Sequence, residues 1–174
     1  YSTGTKAIAA SKVDFDVQAQ KFTITMNVDP GVEDDSPGAH TSEEVYGIYA
    51  DEKSTITIGA NTATSITVET GLGKGYGIVS TGGAKVAVAG DANVVIDGTQ
   101  ESVALTVNGE GSTLTLAGKQ NQIVGDVRAK EQGALGFVSG NTSVAGAVAV
   151  DAASTVTLDK ASVELAEGST MKVE

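Results

Sequence analysis

The sequence predicts an all-β protein folded as a three-sided parallel β-helix, a solenoid of stacked coils. Apolar and polar residues alternate in short bursts that end at Gly, Asn or Asp, which is typical of short strands joined by tight turns. A Tyr-Gly-Ile motif at residues 46–48 returns at residues 76–78, so the pattern repeats with a period of about 30 residues. A Greek-key sandwich would have similar strands, but it has no reason to repeat at a fixed period.

The first 44 residues differ in composition from the rest of the chain. Residues 12–17 and 21–28 alternate well and contain Phe15 and Phe22, so they form either a hairpin or the strands of a first coil. We assign residues 1–28 to an N-terminal cap or an atypical first coil, because the open end of a solenoid exposes unpaired backbone. Residues 29–44 contain both prolines and several carboxylates, which predicts a protruding acidic loop.

Residues 45–174 are predicted to form the regular coils of one single domain. The Tyr-Gly-Ile motif has weaker echoes at Val103 and Leu135, which gives an expected coil of about 27–32 residues with three strands. The Gly inside the motif is expected where a side chain would clash either with a neighbouring coil or with a bend of the chain. No cap-like segment follows the last strand, so we expect the coils to be truncated at the C-terminus. The clearest strand bursts are residues 54–59, 65–68, 85–90, 112–116, 154–158, 162–165 and 170–173.

Composition argues against several classes of function. The net charge is −11 and Arg128 is the single arginine, so the chain lacks the basic stripe of a nucleic-acid-binding protein. No Cys is present, which excludes disulfides, thiolate metal sites and a cysteine nucleophile. No apolar run reaches the length of a transmembrane helix, so we expect no membrane insertion by this fragment.

The Tyr-Gly-Ile motif at residues 46–48, followed by Ser-Thr-Ile-Thr-Ile-Gly at residues 54–59, resembles the passenger domains of bacterial autotransporters, the type V secreted surface proteins. The resemblance covers about residues 45–174. It implies a right-handed β-helix on the outside of a Gram-negative-type cell envelope. It also implies a role in adhesion or self-aggregation, as in biofilm formation and virulence. The implied partner is a host or bacterial surface protein or glycan, or a second copy of the chain, and no cofactor is expected.

Two groups of residues could carry chemistry. His40 could join Glu33, Asp34 or Asp35 around a metal ion, but a single histidine in a Gly- and Pro-containing loop is more often simply exposed to solvent. Asp14 and Asp16 project from one face of a strand, as the paired acids of a glycosidase must. A solvated strand face gives the same pattern, and we therefore predict neither a catalytic nor a metal site.

Thr-x-Thr pairs are the other notable surface feature. Four such pairs lie within the predicted strand bursts, at spacings of roughly 32, 58 and 42 residues, which do not match one constant coil. We therefore interpret them as outward strand positions rather than the single ordered hydroxyl face of an ice-binding solenoid. Ladders of Thr, Ser and Asn could still bind the same ladder on a neighbouring molecule through many weak contacts. The pairs are Thr23 with Thr25, Thr55 with Thr57, Thr113 with Thr115, and Thr155 with Thr157.

The leading functional hypothesis is a non-enzymatic adhesin or self-associating passenger fragment. Two alternatives stay open at this point: a carbohydrate-active β-helix enzyme fragment, either lyase or hydrolase, and a passive spacer that displays another domain. The contact surface of the adhesin would include four loop residues and six threonines: Glu33, Asp34, Asp35, His40, Thr55, Thr57, Thr113, Thr115, Thr155 and Thr157.

Overall fold

The computed structural model describes residues 5–28, 44–71, 73–98 and 101–173. This part of the chain contains nineteen strands and no helix. The strands are β1 (Thr5–Ser11), β2 (Asp14–Val17), β3 (Lys21–Val28), β4 (Glu44–Asp51), β5 (Thr55–Ile58), β6 (Ala63–Thr70), β7 (Lys74–Thr81), β8 (Lys85–Val88), β9 (Ala92–Gly98), β10 (Glu101–Asn108), β11 (Thr113–Leu116), β12 (Gln120–Val124), β13 (Asp126–Lys130), β14 (Ala134–Phe137), β15 (Gly140–Ala145), β16 (Ala147–Val150), β17 (Thr155–Leu158), β18 (Ala161–Leu165) and β19 (Thr170–Val173).

The strands form three parallel sheets, each built from every third strand of the chain. Sheet A has the order β1-β4-β7-β10-β13-β16-β19, sheet B the order β17-β14-β11-β8-β5-β2, and sheet C the order β18-β15-β12-β9-β6-β3. Consecutive strands therefore visit the three sheets in turn, and each coil pairs in parallel with the next. This confirms the three-sided parallel β-helix.

The N-terminal segment is a coil of the same solenoid. Strands β1, β2 and β3 pair in parallel with β4, β5 and β6, one strand in each sheet. The hairpin alternative is therefore wrong, since β2 and β3 lie in different sheets. Of the predicted acidic loop, residues 29–43 lie outside the described residues, and Glu44 begins β4.

The coils shorten towards the C-terminus, contrary to the expectation of about 27–32 residues throughout. Tyr76 pairs with Tyr46 and with Val103, as the motif predicts. The next partner of Val103 is Asp126, across an irregularity in register. Later coils are shorter still, because Ala134 already pairs with Thr155 in the following coil. Leu135 lies in sheet B and is not an echo of the motif. The shortening is not visible in the sequence, because β13 carries charged residues where earlier coils carry tyrosines.

The core is a set of stacked aliphatic ladders. In sheet B, Ile58 pairs with Val88, Val88 with Leu116, and Leu116 with Phe137, and all four side chains are at most 2% exposed. Alternation along each strand sends every second side chain inward, onto its counterpart in the next coil. At the two ends the inward positions are open, and Phe15 is 41% and Leu158 51% exposed.

The glycine of the Tyr-Gly-Ile motif lies at a close approach between neighbouring coils. A Cβ on Gly47 would lie 2.7 Å from Cγ2 of Ile66 and 2.8 Å from the carbonyl oxygen of Gly77. One on Gly77 would lie 2.5 Å from the carbonyl oxygen of Ala104. This confirms the expected clash with a neighbouring coil, and it explains why the repeat keeps a glycine there.

Candidate functional site

One outer face of the solenoid carries three of the four threonine pairs. Each strand of sheet B is four residues long, and its inward residues are apolar, so its other two side chains point outward. Registers place the pairs of β5, β11 and β17 in two straight columns that run across the coils. We call this surface the threonine face, and its members are Thr55, Thr57, Thr113, Thr115, Thr155 and Thr157.

Each column alternates threonines with the outward residues of the strands between them. The first column passes through Thr55, Lys85, Thr113, Ala134 and Thr155. The second column passes through Thr57, Ala87, Thr115, Gly136 and Thr157. Every second coil therefore presents a threonine pair, and the coils between them present smaller side chains, with the exception of one lysine.

The small side chains between the pairs keep the threonine face flat. A Cβ on Gly136 would lie 3.2 Å from Cγ2 of Thr115, so this methyl group lies over the glycine. Ala87 and Ala134 add only one methyl group each at their positions in the columns. The face is therefore low in relief and, apart from Lys85, uncharged between the threonine rows.

The hydroxyl groups of the threonine face are available to a partner. Within the described part of the chain, the six side chains form no hydrogen bond. Thr57 and the other threonines of β5 and β11 are half-buried, whereas Thr155 and Thr157 on β17 are exposed. Adjacent parallel strands lie about 4.8 Å apart, so rows on alternate coils lie about 10 Å apart.

The uneven spacing of the threonine pairs does not separate three of them onto different surfaces. The threonines point outward, as predicted. The inference that their uneven spacing excludes a shared face is wrong for these three pairs. Thr57 and Thr115 are two long coils apart, whereas Thr115 and Thr157 are two short coils apart, because the coils shorten. Only the pair Thr23 and Thr25 is elsewhere, since β3 belongs to sheet C.

The outer side of sheet A carries an aromatic cluster that sequence analysis treated only as a repeat marker. Tyr46 stacks on Tyr76 with ring centroids 4.8 Å apart, and it meets Tyr49 edge-on at 5.1 Å. The Nζ of Lys6 lies 4.5 Å from the centroid of the Tyr49 ring. Tyr46 is only 6% exposed, so these contacts hold the first three coils together on their outside.

An ion-pair network continues this cluster into the next two coils. Tyr76 donates a 2.9 Å hydrogen bond from its hydroxyl to Glu101, and Arg128 donates to Glu101 and, at 3.0 Å, to Asp126. Burial alone would raise the pKa of Glu101, but the hydrogen bonds from Arg128 and Tyr76 outweigh it and hold that pKa below its usual value. Burial and the bond to Glu101 raise the pKa of Tyr76. The single arginine is thus committed to the scaffold.

The predicted chemical groups do not assemble into a site among the described residues. Asp14 and Asp16 are both exposed on the outer side of β2, and Gln18 donates a 3.0 Å hydrogen bond to Asp16. In the part of the chain that the structure describes, no group of three or more His, Cys, Asp or Glu residues could hold a metal ion. The predicted loop contacts Glu33, Asp34, Asp35 and His40 lie outside the described residues.

Comparisons with known proteins give no family. No protein-family model matches this chain, and no curated protein or solved structure does either. None of the described residues forms a helix long and apolar enough to cross a membrane.

Proposed function

We propose that this chain is a non-enzymatic, self-associating surface protein, an adhesin-like passenger fragment of the bacterial autotransporter type, exposed outside the cell. The observation that carries this proposal is the threonine face. It aligns three pairs of hydroxyls on one flat sheet, with alanine and glycine between them. Such a surface is complementary to itself, because a hydroxyl both donates and accepts hydrogen bonds.

Self-association through this face would depend on number rather than on the strength of any contact. A single net hydrogen bond contributes about 0.5–1.5 kcal/mol, which is too little to hold two molecules in solution. Six hydroxyls on a rigid sheet engage together, and many molecules displayed on one particle or cell multiply the effect. The net charge of −11 opposes close approach, so contacts form readily only where molecules are crowded or salt screens the charge.

The test is clustering of microspheres that display the full chain. We expect the native chain to cluster the spheres, and more so at higher salt. A triple variant with Thr55→Glu, Thr113→Glu and Thr155→Glu places like charges opposite each other in any face-to-face pair. We expect it to need at least tenfold more displayed protein for the same clustering. Light scattering against surface density measures both.

A matched control separates this face from a general charge effect. Thr25 is an exposed threonine on sheet C, so a variant with Thr25→Glu and two further glutamates off sheet B, at Ser65 and Ser143, adds the same charge elsewhere. It is expected to cluster like the native chain. Equal loss in both triple variants, or no clustering by the native chain at any density or salt, refutes self-association through sheet B.

The location is tested separately. An antibody against the chain is expected to label intact cells of the organism that makes it. Labelling that requires permeabilised cells would contradict an extracellular position.

A further inference from the structure

Sheet C carries a shallow, open groove near the start of its strands. It encloses about 540 Å³. Its floor includes the exposed Ala63 of β6 and, on the neighbouring strand β9, the position of Ala92, whose side chain is only 2% exposed. Larger polar side chains surround this floor. The depression arises because Ala63 stands in register below Lys21, where a short side chain follows a long one.

A polar ladder runs along this groove, perpendicular to the strands. Ser65 pairs with Asn93, Asn93 with Gln122, and Gln122 with Ser143, and all four line the groove. Four rungs at about 4.8 Å per coil extend for about 14 Å along the solenoid axis. Their amides and hydroxyls form no hydrogen bond within the described part of the chain, so donors and acceptors are free on every rung.

The base of the groove is fixed by internal hydrogen bonds. Asn121 is 5% exposed, its Oδ1 accepts a 3.1 Å bond from the backbone N–H of Ala92, and its Nδ2 donates to Thr142 at 3.1 Å. On the rim, a carboxylate oxygen of Asp91 accepts a 3.0 Å bond from the backbone N–H of Gln120. The base below the ladder is therefore preorganised, and a ligand would have to order only the exposed side chains of the rungs.

The lining selects among ligand classes. Of the described residues that line the groove, only Lys21 and Asp91 are charged, and their charges are opposite. A nucleic acid or sulfated polymer would need an excess of cations. A peptide partner would need apolar or aromatic anchors, which the lining lacks. Neutral polyhydroxyl chains need closely spaced groups that both donate and accept, with small apolar patches between them.

We propose that the groove binds an unbranched neutral oligosaccharide, lying along the solenoid axis with successive sugar units over successive coils. Asn93 and Gln122 would exchange hydrogen bonds with its hydroxyls, and the exposed Ala63 would contact a C–H face. This site is on a different sheet from the threonine face and does not depend on self-association.

The experiment is calorimetric titration of the full chain with cellohexaose, maltohexaose, chitohexaose and mannohexaose, with a heparin hexasaccharide as the charged comparison. We expect at least one neutral hexasaccharide to bind with Kd below about 1 mM, a limit that corresponds to about −4 kcal/mol. The double variant with Asn93→Ala and Gln122→Ala should weaken this binding at least tenfold. Ala63→Ile, which fills the floor and removes no polar group, should weaken it similarly.

Thr67→Ala is the matched control, since Thr67 points outward from the same strand as Ser65 but does not line the groove. It should bind like the native chain, and circular dichroism and a thermal melt should show that every variant is folded. The proposal is overturned if no neutral hexasaccharide reaches that affinity, if only heparin binds, or if the groove variants bind as tightly as the control. Microsphere clustering of the groove variants should stay native, so failure here is distinct from failure of self-association.

Discussion

Gly77 illustrates how a single residue limits the packing of adjacent coils. Its missing Cβ leaves room for the carbonyl oxygen of Ala104 and for Cγ1 of Val94, which would lie only 2.5 and 2.6 Å from an added methyl group. One of these atoms belongs to the backbone of the next coil, which cannot rotate aside. A side chain at this position must therefore force two coils apart.

We predict that Gly77→Ala lowers the free energy of unfolding by about 1–3 kcal/mol, as expected for an overpacked core. Urea denaturation followed by circular dichroism measures the change. Gly136→Ala is the control, because its Cβ would meet only side-chain atoms on the open outer face, the closest being the Thr115 methyl group at 3.2 Å. If both substitutions cost the same, the close approach of the coils is not the cause.

The ion pair between Arg128 and Glu101 should contribute measurably to the stability of the fold. Both side chains are 24% exposed, so removal of one partner leaves a largely desolvated charge. We predict that Arg128→Ala lowers the free energy of unfolding at pH 7 by about 1.5–3 kcal/mol, the range for hydrogen bonds to charged groups.

The contribution of this ion pair to the free energy of unfolding should decrease at acidic pH. The pKa of Glu101 is lower in the folded than in the unfolded chain, so the stabilisation is complete above about pH 4.3 and is lost as pH falls through the folded-state pKa. The difference in free energy of unfolding between the native chain and Arg128→Ala should therefore become smaller below about pH 4. Urea unfolding from neutral pH down to about pH 3 tests this, and a constant difference would contradict it.

The repeating structural unit of the solenoid is the three-strand coil. Strands β14, β15 and β16 repeat the register of β17, β18 and β19, so Ala134 and Thr155 occupy equivalent positions in successive coils. In a solenoid each coil contacts only its neighbours, and removing a complete coil keeps every remaining interface of the same type.

We predict that deletion of residues 134–154, which joins Gly133 directly to Thr155, gives a folded protein with one cooperative unfolding transition and a lower midpoint. Deletion of residues 134–145 should not fold, because it places a strand of sheet A after the turn that leads into sheet B. Circular dichroism and thermal melting distinguish the two. The coil is not the folding unit if both deletions behave alike.

At the scale of the whole molecule, stability is expected to fall towards the C-terminal end. Met171 and Val173 are 55% and 73% exposed although they pair with the inward-facing Val148 and Val150. Interior strands are paired on both sides, whereas β17, β18 and β19 each have one neighbouring strand among the described residues.

Native-state hydrogen exchange should therefore show the slowest amides in β7 to β11 and the fastest strand amides in β17 to β19. The measurement is made at several protein concentrations. Slow exchange in the last coil at low concentration would contradict the gradient.

The local pattern of the sequence determined the strands, the three-strand coil and the register between the coils that contain Tyr46, Tyr76 and Val103. Alternation is a property of neighbouring residues, and Tyr46, Tyr76 and Val103 repeat visibly because their coils have similar lengths. The close approach of coils at Gly77 also followed from the motif itself.

Only the tertiary structure decided which distant residues share a surface. The alignment of Thr57 with Thr157, the groove around Asn93 and Gln122, and the place of Asp126 beside Val103 all depend on how many residues each turn consumes. Hydrogen bonds between coils fix that number, and they join residues roughly twenty or more positions apart, so a local sequence pattern does not reveal it.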